Sequence, residues 1–196
     1  MFKKKKSESK VVFMKDIEVP RMIQIGSTGR NSGKTTMAKE LIAYYCKSTS
    51  VFGLKIITIT GDRGKCQRGA VGCGICTSID EGYELIEEKN STGTKDTMEL
   101  LKTGCEKVYL LKVFREHLLD GFLAFLELVP ADSLIVCESN SIREVVKPGV
   151  FVMMDNKKRI KETAARVIDQ ADIVLKEAKG TVVFDFFKSK NGVSFT

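Results

Sequence analysis

Lys34, Thr35 and Thr36 begin a segment whose apolar residues recur at helical spacing, directly after a polar stretch that contains glycines. An ammonium group beside a hydroxyl at the start of a helix suits phosphate chemistry. The lysine reaches the β- and γ-phosphates of a nucleoside triphosphate, and the threonine hydroxyl binds Mg²⁺. We therefore predict that Lys34 is a catalytic phosphate contact, that Thr35 is a magnesium ligand, and that Thr36 belongs to the same site.

The stretch before Lys34 has the composition of a phosphate-binding loop. Few Cβ atoms allow such a loop to direct its backbone N–H groups at one anion, and the helix that follows adds a positive dipole. The match to G-x-x-x-x-G-K-[ST] is imperfect, because Thr28 stands where the pattern has its first glycine. We predict a P-loop with a longer polar tip that binds GTP or ATP with Mg²⁺; the alternative is an ordinary glycine-rich turn. The predicted nucleotide-binding residues before Lys34 are Gly26, Gly29, Arg30, Asn31, Ser32 and Gly33.

Two acidic residues follow apolar runs that are typical of strands. Glu138 ends the run that begins at Ser133, and a buried strand is a costly place for a carboxylate with no role. We predict that Glu138 acts in catalysis and holds Mg²⁺ together with Thr35; the alternative is a surface carboxylate paired with a lysine. Asp62 follows the run 55–60 and is a second catalytic candidate, either sensing the γ-phosphate or capping a turn.

Three cysteines, Cys66, Cys73 and Cys76, lie in a glycine-rich loop at 61–78. Thiolates at this spacing suit Zn²⁺ or an iron–sulfur cluster. The fourth position would be filled by Cys105, His117 or a cysteine of a second subunit, or would be left open. Free thiols or a redox pair are the alternatives.

The other two cysteines, Cys46 and Cys137, fall on predicted core faces and are expected to be small buried residues. Because the basic start of the chain is not followed by an apolar signal core, we expect a cytoplasmic protein in which disulfides are disfavoured.

Continuous apolar strands alternate with amphipathic helices along the chain, which predicts a three-layer α/β/α sandwich with a mostly parallel sheet and a P-loop NTPase fold. We expect a poorly ordered basic lead-in over 1–20 and a single domain over 21–196. The carboxyl ends of the strands should bring the P-loop, Asp62, Glu138 and Asp155 to one crevice. Outside the P-loop unit, strands are predicted at 55–60, 108–111, 133–138, 150–154, 173–175 and, as an edge strand, 182–186; helices are predicted at 80–88, 96–103, 118–129 and 160–171.

Three places in the chain resemble the molybdopterin-guanine dinucleotide biosynthesis protein B family of small P-loop NTP-binding proteins. They are the strand, loop and helix at 22–46, the Lys95-Asp96-Thr97 block that runs to Gly104, and the apolar strand that ends in Glu138. The resemblance implies a weak NTPase, usually dimeric, that assists a partner protein in attaching GMP to molybdopterin. It favours GTP. The residues themselves leave the preferred nucleobase open, because Asp155-Asn156-Lys157-Lys158 is followed by Arg159 where a guanine-specific motif has aspartate.

Bulk composition limits the other function classes. The chain has 196 residues and a net charge of +7, but Lys3–Lys6 supply four of those charges and no basic stripe with interleaved aromatic residues remains. We therefore expect no nucleic-acid partner, and no apolar run is long enough to span a membrane. Two further functions stay open: a small-molecule kinase, and a metal or iron–sulfur scaffold controlled by nucleotide binding.

Overall fold

The computed structural model describes residues 17–59, 79, 82–156 and 160–191. Within these residues the chain has an α/β architecture built on a seven-stranded, mostly parallel sheet in the order β3-β4-β2-β5-β1-β6-β7. Of the seven described strands, only β3 runs antiparallel to its neighbour. The strands are β1 (Ile17–Ser27), β2 (Val51–Ile59), β3 (Tyr83–Glu87), β4 (Lys107–Phe114), β5 (Leu134–Glu138), β6 (Val146–Met154) and β7 (Ile173–Leu175).

Among the described residues, five α-helices connect or follow these strands, with short 3-10 turns at 115–117, 141–144 and 168–170. The helices are α1 (Lys34–Tyr45), α2 (Asp96–Lys102), α3 (Leu118–Leu126), α4 (Glu162–Ala165) and α5 (Gly180–Asn191). None of the helices in the described part of the chain has the length and apolar character needed to cross a membrane.

Alternate residues of the central strands supply separate cores on the two faces of the sheet. On β5, Leu134 and Val136 pack in the cluster that includes α1 and α5, whereas Ile135 and Cys137 pack in the cluster that includes α3. The parallel strands are therefore buried on both sides, as their continuous apolar sequences predict. This arrangement is consistent with three α/β/α layers.

The first strand begins earlier than predicted, at Ile17, so residues 17–20 belong to the sheet and not to the lead-in. Of the strands in the described residues, only β6 pairs with this first part of β1, and the register shifts between Val19 and Ile23. Pro20 lies within the shift. Because proline has no N–H to donate to a strand ladder, it fits this interruption in the pairing.

The predicted helix at 80–88 is wrong over its described residues. Tyr83–Glu87 form β3, which pairs antiparallel with β4 from Tyr83 opposite Val113 to Glu87 opposite Tyr109. Pairing with a neighbouring strand decides the conformation here, because the local apolar pattern is too short to separate a strand from a helix.

The predicted edge strand at 182–186 is also wrong, because these residues lie in α5. Val183, Phe184 and Phe187 are buried at helical spacing against α1. The Phe184 ring stacks on Tyr44 at a centroid distance of 3.9 Å. The predicted helix at 160–171 is shorter than expected: four residues form α4, and a 3-10 turn follows at 168–170.

Candidate nucleotide and cation site

The loop between β1 and α1 (residues 28–33, the β1–α1 loop) turns twice through left-handed backbone. Asn31 has a φ of 52° and Gly33 a φ of 84°. Positive φ at Gly33 favours glycine, and asparagine is among the side chains that tolerate it best. Alternation of this kind gathers backbone N–H groups into a concave surface that suits an anion.

Helix α1 begins at Lys34 with its N-terminal end uncapped by any side chain among the described residues. Its first turn contains no acidic residue. The earliest helical bond runs from the Met37 N–H to the Gly33 carbonyl at 2.9 Å, so the N–H groups of Lys34, Thr35 and Thr36 precede the helical ladder. The helix therefore presents donors and a positive dipole at the end of the β1–α1 loop.

The Lys34 side chain folds back over this loop. Its Nζ donates to the Ser27 Oγ at 2.9 Å, and the Ser27 hydroxyl donates in turn to the Gly29 carbonyl at 2.8 Å. Within the loop, the Ser32 Oγ is buried without a hydrogen-bond partner among the described residues. A positive charge and a buried hydroxyl therefore lie along one short segment.

The last residue of β6 and the two residues after it fix the position of the β1–α1 loop. The Thr28 N–H donates to the Met154 carbonyl at 3.0 Å, and its hydroxyl donates to the Asp155 Oδ1 at 3.0 Å. The Asn156 Nδ2 donates to the Arg30 carbonyl at 2.8 Å. Asp155 and the loop thus meet, as the strand-end argument predicts.

Gly29 leaves space for the Asn156 side chain. A Cβ on Gly29 would lie 2.3 Å from the Asn156 Nδ2, far inside van der Waals contact. Any larger residue would displace the amide that holds the Arg30 carbonyl. Gly26 is similarly close, since its Cβ would lie 2.8 Å from the Asn140 Oδ1.

Glu138 lies on β5 opposite Ile25 of β1, and its side chain is 2% exposed. Its Oε2 is 3.4 Å from the Lys55 Nζ, and its Oε1 has no hydrogen-bond partner within the described residues. An unpartnered oxygen on a buried carboxylate is expensive, and a cation or its hydration shell would satisfy it. Glu138 therefore fits the predicted Mg²⁺ site. The alternative prediction, a carboxylate paired with a lysine, is met as well, because Lys55 is next to it.

Helix α2 brings a second carboxylate to Lys55. Asp96, the first residue of α2, accepts a hydrogen bond from the Lys55 Nζ. The helix is tied to α1 by the Lys39–Glu99 pair at 2.8 Å. Hydrogen bonds from Lys39 and Lys102 lower the pKa of Glu99 to about 2. The Lys39–Glu99 pair holds α2, of which Asp96 is the first residue, against α1.

Several predicted residues lie outside the described part of the chain. They are Asp62, Cys66, Cys73 and Cys76. Across the residues that are described, no three His, Cys, Asp or Glu side chains form a group that could hold a metal ion. The zinc or iron–sulfur site stays a prediction.

Two of the predicted sources of a fourth thiolate-site ligand, Cys105 and His117, lie at opposite ends of the parallel strands. Cys105 precedes β4, at the end of the sheet where the parallel strands begin, whereas β2 finishes at Ile59 at the opposite end. His117 follows β4, and its Nδ1 lies 3.3 Å from the Asp120 Oδ2. Of Cys105 and His117, only His117 lies at the end of the sheet where β2 finishes.

The prediction that Cys46 and Cys137 are buried is right for Cys137 and wrong for Cys46. Cys137 is fully buried on β5, as expected, and burial raises the pKa of its thiol. Cys46 is exposed, because it stands just past the end of α1, where the apolar face of that helix has ended.

Comparison with known proteins gives no match to a family model, to a curated protein or to a solved structure.

Three residues of the site are missing from the sequence predictions. Lys55 interrupts the apolar strand β2, Gln24 interrupts β1, and Asn140 lies in the polar turn after Glu138. The Gln24 Nε2 donates to the Ser139 carbonyl at 2.8 Å. A polar residue inside an apolar strand run was the available signal in two of the three cases.

Proposed function

We propose that the chain is a P-loop protein that binds a nucleoside triphosphate with Mg²⁺ and hydrolyses it slowly. The nucleotide phosphates lie against the β1–α1 loop and the first turn of α1. Lys34 contacts the β- and γ-phosphates. The segment from Gly26 to Thr36, which contains the β1–α1 loop, supplies the surrounding backbone donors.

One observation carries this proposal: the Lys34 ammonium is folded onto Ser27 across a loop that opens an uncapped helix. A lysine that served only solubility would extend into solvent. Here it lies over the N-terminal end of α1, where a bound phosphate can contact the ammonium and the helix N–H groups together.

Thr35 and Glu138 would hold the magnesium ion, directly or through its water ligands. Bound there, Mg²⁺ would neutralise phosphate charge during transfer. The support for Glu138 is its unpartnered buried Oε1 on the strand beside β1. Asp62 stays a catalytic candidate, outside the described residues.

In the proposed reaction, water attacks the γ-phosphorus and the bond to the bridging oxygen breaks, giving a nucleoside diphosphate and phosphate. The resemblance at the P-loop, at Lys95-Asp96-Thr97 and at Glu138 supports an accessory role in cofactor maturation, in which a homodimer serves a partner enzyme. It also supports GTP as the preferred nucleotide.

Competition binding tests the proposal. The protein is titrated with fluorescent methylanthraniloyl-GTP and Mg²⁺, and GTP, ATP, guanosine and adenosine are then added as competitors. We expect both triphosphates to compete and both nucleosides to fail, because the phosphates supply the contacts. The competing strengths of GTP and ATP show which nucleobase the site prefers. Failure of the labelled nucleotide to bind, or equal competition by a nucleoside, would overturn the proposal.

A further inference from the structure

We infer that Lys55 is an exchangeable counter-ion for Glu138: it neutralises the buried carboxylate before a divalent cation binds, and it passes to Asp96 when the cation arrives. The inference rests on the cation site of the proposed function. It gives Lys55 and Asp96 a shared task, namely to set the affinity of Glu138 for a metal ion.

The strand register creates this arrangement. Lys55 on β2 is the direct neighbour of Glu138 on β5, so their side chains leave the same face of the sheet. The Lys55 Nζ lies 3.4 Å from the Glu138 Oε2 and also contacts the Asp96 carboxylate. One ammonium group therefore lies between two carboxylates.

The three side chains differ in exposure in the order that an exchange requires. Glu138 is 2% exposed, Lys55 22% and Asp96 47%. The buried carboxylate needs a compensating charge at all times, because an unpaired charge in the interior costs several kcal/mol. Asp96 is well solvated, so it can accept the lysine fully without a large desolvation cost.

The partner contacts of Glu138 support the same sequence of events. Its Oε2 has a long contact to Lys55, and its Oε1 has no partner among the described residues. A divalent cation attracts this carboxylate more strongly than a single ammonium group does, and Lys55 keeps Asp96 as a partner after it leaves. Cation binding at Glu138 and the contact of Lys55 with Glu138 are then mutually exclusive, so that cation binding releases the lysine.

Manganese titration of the nucleotide-free protein tests the inference, with the EPR signal of free Mn²⁺ as the readout. At pH 8 we expect Lys55→Met to bind Mn²⁺ about tenfold more tightly than the parent, because the competing charge is gone. Lys112→Met is the matched control. Lys112 is also a strand lysine paired with a glutamate, Glu84 at 2.9 Å, and its removal should leave Mn²⁺ affinity unchanged.

Asp96→Asn should have the opposite effect. Without its second acceptor Lys55 remains on Glu138, so Mn²⁺ affinity should fall severalfold below that of the parent. In the double variant with Lys55→Met this loss should disappear. Because Asp96 is largely exposed, this arm keeps the test valid even if Lys55→Met fails to fold.

Unchanged Mn²⁺ affinity in both Lys55→Met and Asp96→Asn would overturn the inference. A loss of nucleotide affinity in Lys55→Met without a change in Mn²⁺ binding would also overturn it, since Lys55 would then be a phosphate ligand. If the variants shift Mn²⁺ affinity as expected while no triphosphate binds, the counter-ion exchange stands and the proposed function fails.

Discussion

Asn140 holds both backbone groups of Ser27 with one side chain. Its Oδ1 accepts from the Ser27 N–H at 2.7 Å, and its Nδ2 donates to the Ser27 carbonyl at 3.0 Å. Ser27 is the last residue of β1, and its hydroxyl accepts the hydrogen bond from the Lys34 Nζ. The turn after β5 therefore sets where the β1–α1 loop begins.

Asn140→Ala should destabilise the protein and weaken nucleotide binding. Loss of the amide leaves two part-buried backbone groups of Ser27 without partners, which costs roughly 1–3 kcal/mol. Urea unfolding measures the stability change, and calorimetry measures nucleotide affinity. Asn90→Ala is the control, because Asn90 also accepts a backbone hydrogen bond, from Thr92 at 2.8 Å, but in an exposed turn. Equal effects of the two substitutions would contradict the role of Asn140.

Gly29→Ala should lower nucleotide affinity by displacing Asn156. The added methyl would lie 2.3 Å from the Asn156 Nδ2, so the amide must leave the Arg30 carbonyl. We expect a loss of stability of about 1–3 kcal/mol, typical of overpacking.

Gly93→Ala is the matched control for this substitution, because there the methyl would meet the Met98 side chain, with the Sδ also at 2.3 Å. In a double-mutant cycle, Asn156→Ala should cost less in the Gly29→Ala background than in the parent. Additive losses would show that Gly29 and Asn156 do not act together.

Glu138→Gln should make nucleotide affinity much less dependent on Mg²⁺. The substitution keeps the size of the side chain but removes the charge that attracts the cation. Nucleotide titrations at several Mg²⁺ concentrations measure this dependence. Glu127→Gln, an exposed glutamate at the end of α3, is the control. An unchanged Mg²⁺ dependence in Glu138→Gln would transfer the role to Asp62.

Cys46 should react with iodoacetamide at pH 8 far faster than Cys105 or Cys137. Alkylation requires the thiolate, and Cys46 is exposed. Burial, with a smaller contribution from nearby Cys46, raises the pKa of Cys105 to about 12. Peptide mass spectrometry after timed quenching follows each cysteine separately. Labelling of Cys105 as fast as that of Cys46 would mean that the start of β4 opens readily in solution.

The sequence was most informative where local pattern and tertiary structure agree. The apolar run from Met22, the glycines and the helical spacing after Lys34 predict β1 and α1, because a strand, a polar loop and an amphipathic helix each carry their own signal. The burial of Glu138 at the end of β5 was also predictable, since it ends an unbroken apolar run.

Contacts that depend on strand order were not predictable. Lys55 meets Glu138 because β2 lies beside β5, and Asn140 meets Ser27 because β5 lies beside β1. Residues 182–186 are rich in the β-branched and aromatic residues that strands favour, yet packing of Phe184 against Tyr44 and Tyr45 stabilises a helix. In each case a partner distant in sequence decides the outcome.

Calorimetric titration of Mg²⁺-GTP and Mg²⁺-ATP into the parent, Lys34→Ala and Lys47→Ala is the most direct test of triphosphate binding at the β1–α1 loop. Both variants lose one positive charge, but Lys47 is exposed just past the opposite end of α1. Loss of a charge-assisted contact should cost Lys34→Ala roughly 1.5–3 kcal/mol, about a 10- to 100-fold weaker affinity, while Lys47→Ala binds as the parent does. Equal nucleotide affinity in the parent and Lys34→Ala would contradict the proposed site.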